Sequence, residues 1–397
     1  MPDRLVIDAD GHVMEDRVDW RERIDPAYRD RAPHLFRDFR NRPRILVEGR
    51  VWPIMEGPGI GNPGIFSDAV PRENRYRPGM ADPAARLQDM ELEGIDVAVL
   101  FGTMIGLSAA NIADPGLADA VCRAYNDWLA EFCAHAPSRL KGVALLPLQD
   151  VGLAVKELER AVGKLGMPAA MLPTNIHGKN LDHPDLYPFY DAAQALEVPL
   201  CCHAGIGHNG LPGVYGTQNC GTERFDVFFF THAVGFPFEQ MLAVISLLGG
   251  GILDLYPRLR FAFLEAGAGW LPYWVERMDE HYRLLRPQVP KLQRPPSDHL
   301  KSGRIYVSCD SDEETLPHVL ELVGDGAVMY ASDYCHWDCR FPDSVRLIGE
   351  RDNLSERAKA RVLGENAKRF FGFKESDLGQ RQAPSPLGAA AQGGHYG

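Results

Sequence analysis

The chain lacks the features that would set it apart from ordinary globular enzymes. It has no long basic run, and its 54 acidic residues outnumber 42 Lys and Arg, for a formal charge of −12. A nucleic-acid backbone would be repelled, so no nucleic-acid partner is expected. The opening MPDRLVIDADGHVMED has no apolar signal core. The uncharged stretch between Glu239 and Asp254 holds fourteen residues, too few and too Gly-rich to span a bilayer. The expectation is a cytoplasmic protein without a membrane partner. None of the eight cysteines forms a CxxC pair, so a disulfide framework is not expected in a chain this long. Cys201 and Cys202 stand out only because a histidine follows them. No GxGxxG follows the first apolar run, which removes the commonest reason to expect a dinucleotide-binding open sheet. Internal repeats are absent.

What is present is a full core. Hydrophobic residues make up 45% of the 397 and charged residues 24%, a balance that excludes disorder of the whole chain. Eight short apolar runs punctuate it: Leu5–Ala9, Val97–Phe101, Gly142–Leu146, Ala169–Leu172, Val198–Cys202, Arg260–Leu264, Ile305–Val307 and Val328–Ala331. They show little alternation, as strands covered on both faces do. Helical patterns lie between them. Asp82 and Pro83 open one and Gly94 closes it. Met241, Val244, Ile245 and Leu248 form one apolar helix face, Trp270, Trp274, Val275 and Met278 another, and Ser355 caps a last helix.

Eight strand–helix units predict an α/β fold, a (β/α)8 TIM barrel, with a doubly wound open sheet as the rival. The barrel is expected to occupy 1–373 as one domain, with 374–397 a disordered tail. Two long connections, 11–80 and 204–226, leave the C-terminal ends of strands and are expected to cap the mouth. A third, 286–304, is Pro-rich.

The residues that end these strands carry the chemistry. Strand one ends in Asp10, Gly11 and His12, with Glu15 close behind; strand five ends in His203, strand six in Glu265, strand eight in Asp333, followed by His336 and Asp338. Each alone has a structural reading, as a hydrogen-bonded strand end, a turn residue or a helix cap; Asp8 fits that description as well. Together, at one end of different strands, carboxylates and imidazoles would repel or desolvate one another unless a cation sat among them. A divalent metal with N and O ligands and an open position meets that need.

Five segments carry a resemblance: Ile-Asp-Ala-Asp-Gly-His, Cys-His-Ala-Gly, Phe-Leu-Glu-Ala-Gly-Ala-Gly-Trp-Leu-Pro-Tyr, Ala-Ser-Asp-Tyr-Cys-His-Trp-Asp and Gly-Glu-Asn-Ala-Lys-Arg-Phe-Phe. In that order they resemble the amidohydrolase superfamily, in particular the amidohydrolase-related branch that includes aminocarboxymuconate-semialdehyde decarboxylase. The resemblance implies a distorted barrel with a divalent metal at its mouth. It places the family's strand-one metal pair on Asp10 and His12, its strand-five histidine on His203 and its strand-eight aspartate on Asp333. Two positions depart from the pattern. Asp10 replaces a histidine, and Glu265 stands where the decarboxylases carry a catalytic histidine.

The expected function is metal-dependent chemistry on a small organic substrate, either hydrolysis by metal-activated water or metal-assisted decarboxylation. Asp333, Glu265 and His232 are the candidate catalytic groups. Asp10, His12, His203 and Asp333 are the candidate ligands of Zn, Mn or Fe. Glu15, His232, Glu265 and His336 are candidates for a second ion, because three carboxylates overshoot one dication unless one is protonated. The alternative is a dinuclear non-haem iron oxygenase or hydroxylase on the same barrel; a degenerate, non-catalytic member is a third reading. His208 and Arg residues of the first insertion are candidate substrate contacts, and a carboxylate is the partner that Arg would favour. The remaining histidines read as structural or surface, and exposed aromatics on outer helices offer a homo-oligomer surface.

Overall fold

The computed structural model describes residues 4–15, 17–37, 39, 43–51, 77–205, 220–221, 224–225, 228–334 and 336–381. Eight parallel strands follow one another around a sheet in chain order: β1 (Ile7–Val13), β2 (Val97–Gly102), β3 (Leu140–Ala144), β4 (Ala169–Pro173), β5 (Leu200–His203), β6 (Phe261–Leu264), β7 (Ile305–Cys309) and β8 (Val328–Tyr330). The last strand returns to the first. His12 N–H donates to the Tyr334 carbonyl at 2.7 Å and Asp333 N–H to the Asp10 carbonyl at 3.0 Å. The sheet therefore closes into a (β/α)8 barrel, and the open-sheet rival is excluded.

Each apolar run becomes a strand because both its faces are covered, by the barrel core inside and helices outside. β1 and β2 are buried along their whole length. The outer helices include α1 (Pro83–Glu93), α2 (Pro115–Cys133), α3 (Val151–Gly163), α4 (Tyr187–Ala195), α5 (Phe228–Gly249), α6 (Leu271–Leu285) and α7 (Leu316–Val323). Their ends obey local chemistry. Asp82 accepts from Ala85 N–H at the start of α1, and Gly94 ends it at φ 86°, a left-handed conformation that glycine adopts without penalty. Ser355 accepts from Ala358 N–H at the head of the closing helical segment. By length and hydropathy α5 is the one described helix able to cross a bilayer. It lays Ala243, Val244, Leu247 and Leu248, all buried, into the core.

The described part of the first insertion holds short helical turns, Trp20–Arg23, Pro26–Arg31 and Pro78–Met80, and a three-stranded antiparallel sheet, His34–Arg37, Pro43–Val47 and Arg50–Val51. The sheet docks at the head of α2, where Glu48 accepts from Ala113 and Asp114 N–H. Residues 52–76 and most of 204–226, expected to cap the mouth, lie outside the described residues. The tail boundary needs correction. The chain is tied down beyond 373, with Gly379 N–H on the Ser138 carbonyl at 2.8 Å and Arg381 on Asp96 at 2.8 Å; only 382–397 lie outside the described residues.

Candidate active site

At the C-terminal mouth, β1 contributes two side chains from one short stretch. Asp10 and His12, two apart on the strand, share one face, and the pairing with β2 shifts register between Asp8 and Gly11. His12 Nδ1 lies 3.3 Å from the Gly102 carbonyl, so Nδ1 carries the proton and Nε2 presents a bare lone pair. That lone pair faces Asp10 Oδ1 at 3.5 Å and Asp333 Oδ1 at 3.4 Å. His203, the last residue of β5, puts Nε2 3.2 Å from Asp10 Oδ1. Asp10, His12, His203 and Asp333 are thus brought together as expected.

Glu265 and His336 join them. Glu265 lies 3.2 Å from His203 Nδ1 and 3.5 Å from His336 Nδ1. His336 Nδ1 is also 2.6 Å from Asp333 Oδ1, and its Nε2 is 3.4 Å from Thr103 Oγ1. Asp333 and Glu265 hold left-handed backbones, φ 50° and 59°. Such conformations cost a non-glycine residue about 1–3 kcal/mol and persist where the surroundings enforce them.

The electrostatics follow from burial and charge. Burial opposes ionisation of Asp10, but His203 and His12 outweigh it and hold the carboxyl well below its usual value. Burial and the neighbouring His336 push His12 down to about 3. For His203, burial is overcome by Asp10 and Glu265, raising it to about 9. Asp333 rises to about 7, because burial together with Glu265 and Asp10 outweighs His336. His336 stands well above its usual value: burial opposes its charge, but Asp333 and Glu265 prevail.

A cation fits this arrangement. His12 Nε2, Asp333 Oδ1 and Glu265 Oε2 are buried without hydrogen-bond geometry to any partner. A lone pair aimed at two carboxylates is repulsive, and a positive charge between them relieves it. Ligands about 2.1 Å from one ion lie roughly 3.0–3.4 Å from each other. The donor separations of 3.2 to 3.5 Å around Asp10 match that spacing. Two overlapping donor sets meet here: Asp10, His12 and His203, and His12, Asp333 and His336.

A cavity of about 310 Å³ opens beside the cluster. Its lining includes Asp10, Glu265 and Asp333 of the cluster together with His232, Phe236, Asp310, Asp338 and Arg340. His232 rests on Phe236, ring centroids 4.4 Å apart, and meets Trp337 edge-on at 5.6 Å. Arg340 is engaged by Asp312 at 2.7 Å. Asp310 faces the cavity and is raised to about 7 by loss of bulk water and by Glu313 and Asp338. Asp310 is absent from the sequence-based candidates, although it ends β7 just as His203 ends β5.

Other expectations change. Glu15 is no candidate for a second ion. Its buried carboxylate is taken up by three backbone N–H bonds, from Thr103 at 3.1 Å, Met104 at 2.9 Å and Gly106 at 2.9 Å. Among the described Arg residues of the first insertion, Arg21, Arg23 and Arg31 pair with acids on the outside and Arg77 clamps Asp89. None of these four lines the cavity. His208 lies outside the described residues. Cys201 and Cys202 are buried in the barrel wall.

Residues 7–373 match the model of a protein family described as amidohydrolase. The 2-amino-3-carboxymuconate-6-semialdehyde decarboxylase of Dictyostelium discoideum is 28% identical over 297 residues, 74% of this chain and 77% of that one. Two solved structures share the fold. An amidohydrolase from Mycobacterium avium subsp. paratuberculosis K-10 superposes with a TM-score of 0.75 at 17% identity, over 94% of this chain and 100% of the other. A dihydroxybenzoic acid decarboxylase from Polaromonas sp. JS666, solved with bound manganese and the inhibitor 2-nitroresorcinol, gives a TM-score of 0.63 at 21% identity, over 94% and 99%.

Proposed function

Because this chain belongs to the amidohydrolase family, we propose that it is a metal-dependent carboxy-lyase acting on a small carboxylic acid. The observation that carries the metal is the bare, buried His12 Nε2 set between Asp10 and Asp333. Asp10, His12, His203 and Asp333 would hold one divalent ion, with manganese our first choice among Mn, Zn and Fe. Two imidazoles and two carboxylates suit all three, and the Polaromonas relative binds manganese. When bound, such an ion polarises a substrate oxygen and draws off charge. The decarboxylation step is supported by the relatives, whose names are those of decarboxylases. The iron oxygenase alternative gains nothing from them and is not proposed.

The chain's own groups supply what decarboxylation requires. As the bond to the carboxylate breaks, its electron pair stays on carbon, and a proton must arrive there. Asp333 and Glu265, 2.6 and 3.5 Å from His336 Nδ1, favour the protonated form of that imidazole. Glu265 faces the cavity and relays that proton, while His232 and Phe236 also line it. Asp310 and Asp338 accept hydrogen bonds from hydroxyl or amino groups on the substrate. A small acid rich in donors, rather than a purely hydrocarbon one, fits this wall. Cys122, Cys133, Cys201, Cys202 and Cys309 are buried thiols outside any disulfide, which suits a reducing compartment, and we place the protein in the cytoplasm.

The test is metal analysis of protein purified without added metal, followed by CO₂ release from hydroxy- and amino-substituted unsaturated carboxylic acids. One ion per chain and stoichiometric CO₂ are expected. Two ions would assign the second to Asp333, His336 and Glu265. Metal-free protein with undiminished turnover, or substrate consumed without CO₂, would overturn the proposal.

A further inference from the structure

The barrel closes at the place where the proposed metal ligands meet, and it closes weakly. β1 and β8 form no strand ladder among the described residues. Only the two backbone bonds between His12 and Tyr334 and between Asp333 and Asp10 join their mouth ends. Asp10 and His12 stand on one side of this seam and Asp333 on the other. A slip of the seam would therefore change the distances among three of the four ligands.

Two buried charged side chains bridge it. Asp8 is 0% exposed and Arg86, from α1, 1%. Asp8 accepts from Ser332 N–H at 2.9 Å and from Ser332 Oγ–H at 2.6 Å, across the seam. It also accepts from Asp10 N–H at 3.2 Å, on its own side. Arg86 donates to the His12 carbonyl at 2.7 Å and lies over the Tyr334 ring, its Cζ 3.9 Å from the centroid. Tyr334 N–H in turn donates to Ser332 Oγ at 3.0 Å, and its hydroxyl donates to Asp89. Gly11 lets this core assemble: a Cβ there would sit 2.5 Å from both Arg86 Nη2 and Asp8 Oδ2.

A buried ion pair is a poor source of stability, because apolar side chains of similar volume do as well or better. Arg86 and Asp8 are not even in direct hydrogen-bond contact, at 3.8 Å. The hydrogen bonds given above for them go to the backbone of a proposed ligand, His12 or Asp10, or to the backbone and hydroxyl of Ser332, beside Asp333. We infer that Asp8 and Arg86 are positioning residues for the metal centre, setting the register of β1 against the end of β8 and so the spacing of Asp10, His12 and Asp333. The inference rests on the proposed metal reading.

Three variants test it, with Mn²⁺ affinity and the Mn²⁺ electron paramagnetic resonance spectrum as readouts. Arg86→Met leaves Asp8 buried without a counter-charge and is at risk of misfolding. Arg86→Met with Asp8→Asn removes both charges, and Ser332→Ala removes only the hydroxyl link. Asn126→Ala is the control. It breaks a buried hydrogen bond of 2.7 Å to Glu157 between α2 and α3 and lowers stability without touching the seam. Loss of groups that orient metal ligands typically costs about 10–100-fold in affinity. That loss, with an altered spectrum, is expected for the double variant and for Ser332→Ala while both remain folded, and not for the control. Wild-type affinity and spectrum in both folded seam variants would overturn the inference. An equal loss in the control would overturn it too, by reducing the effect to stability. A wild-type protein that binds none of Mn²⁺, Zn²⁺ and Fe²⁺ overturns the metal reading itself, and this inference with it; if it binds only Zn²⁺ or Fe²⁺, the same affinity comparison is made with that ion.

Discussion

Glu265→Gln separates proton delivery from metal binding. The amide keeps the shape of the side chain and loses its charge, 3.5 Å from His336 Nδ1 and 3.2 Å from His203 Nδ1. Two unit charges 3.5 Å apart interact by about 5 kcal/mol at an effective dielectric of about 20. The cavity admits water and Glu265 is 14% exposed, so about half of that or less survives, equivalent to about 1–2 pKa units on His336. The sign is fixed. Glu265 raises His336, so its removal lowers the pKa and the imidazolium is lost at lower pH. The alkaline limb of the pH–kcat profile should move down by about 1–2 units. Turnover at neutral pH should fall about 10²–10⁴-fold, the usual weight of a general acid. Bound metal should not change, because Asp10, His12, His203 and Asp333 remain. The assay is CO₂ release from pH 5 to 9, with metal content measured on the same samples. Wild-type turnover with an unmoved profile would refute the proton role, and loss of the metal would show Glu265 to be a ligand instead.

Three further outcomes are expected. Chelation of the ion should lower the melting temperature: an ion at about 100 times its Kd contributes about 2.7 kcal/mol, roughly 3–4 °C for a domain of this size, and His12→Ala should abolish the shift. Glu15→Ala should destabilise the fold by about 3 kcal/mol or more, since three buried N–H groups lose their acceptor, while metal content stays at the wild-type level; a lost ion would restore Glu15 as a ligand. Glu93 is raised from 4.5 to about 8 by burial, against the opposing bond from Ser344. The folded state therefore keeps a proton that the unfolded chain loses above about 4.5, so stability falls as pH rises from about 4.5 to 8, by at most about 1.4 kcal/mol per unit. Glu93→Gln should gain on the wild type across that window in denaturant titrations, and a pH-independent difference would contradict the assignment.

The barrel is legible in the sequence because strands covered on both faces must be apolar throughout, and all eight runs fall on the observed strands. β1 runs past Ala9 to Val13, through Asp10 and His12, since polar residues extend a strand where neighbouring loops bury them. Ligand candidates on strand ends are legible for the same reason, as each follows an apolar run. Asp310 meets that rule equally but stands in Cys-Asp-Ser-Asp, with no histidine to single it out. Glu15 is misleading because its partners, Thr103 to Gly106, lie some ninety positions away in sequence, and no local spacing encodes that contact. The roles of Asp8 and Arg86 are hidden likewise, for they exist only once the first and last strands meet.

The two departures from the decarboxylase pattern are physically coupled. Placing an aspartate at position 10 adds a negative charge between His203 and His12, where the pattern has a neutral imidazole. Placing a glutamate at 265 adds another, 3.2 Å from His203. With Asp333 the centre then sets three carboxylates against the one dication proposed, an excess of one negative charge in a buried site. His336 supplies the missing positive charge. Asp333 and Glu265 flank it closely enough to keep the imidazole protonated against the cost of burial. With the one divalent ion proposed above, three carboxylates, the ion and one imidazolium would sum to zero, and the charge count would close without a second metal. On the proposed reading, the substrate carbon that keeps the electron pair as CO₂ leaves would take up the imidazolium proton through Glu265, which lies 3.5 Å from His336 Nδ1 and lines the cavity.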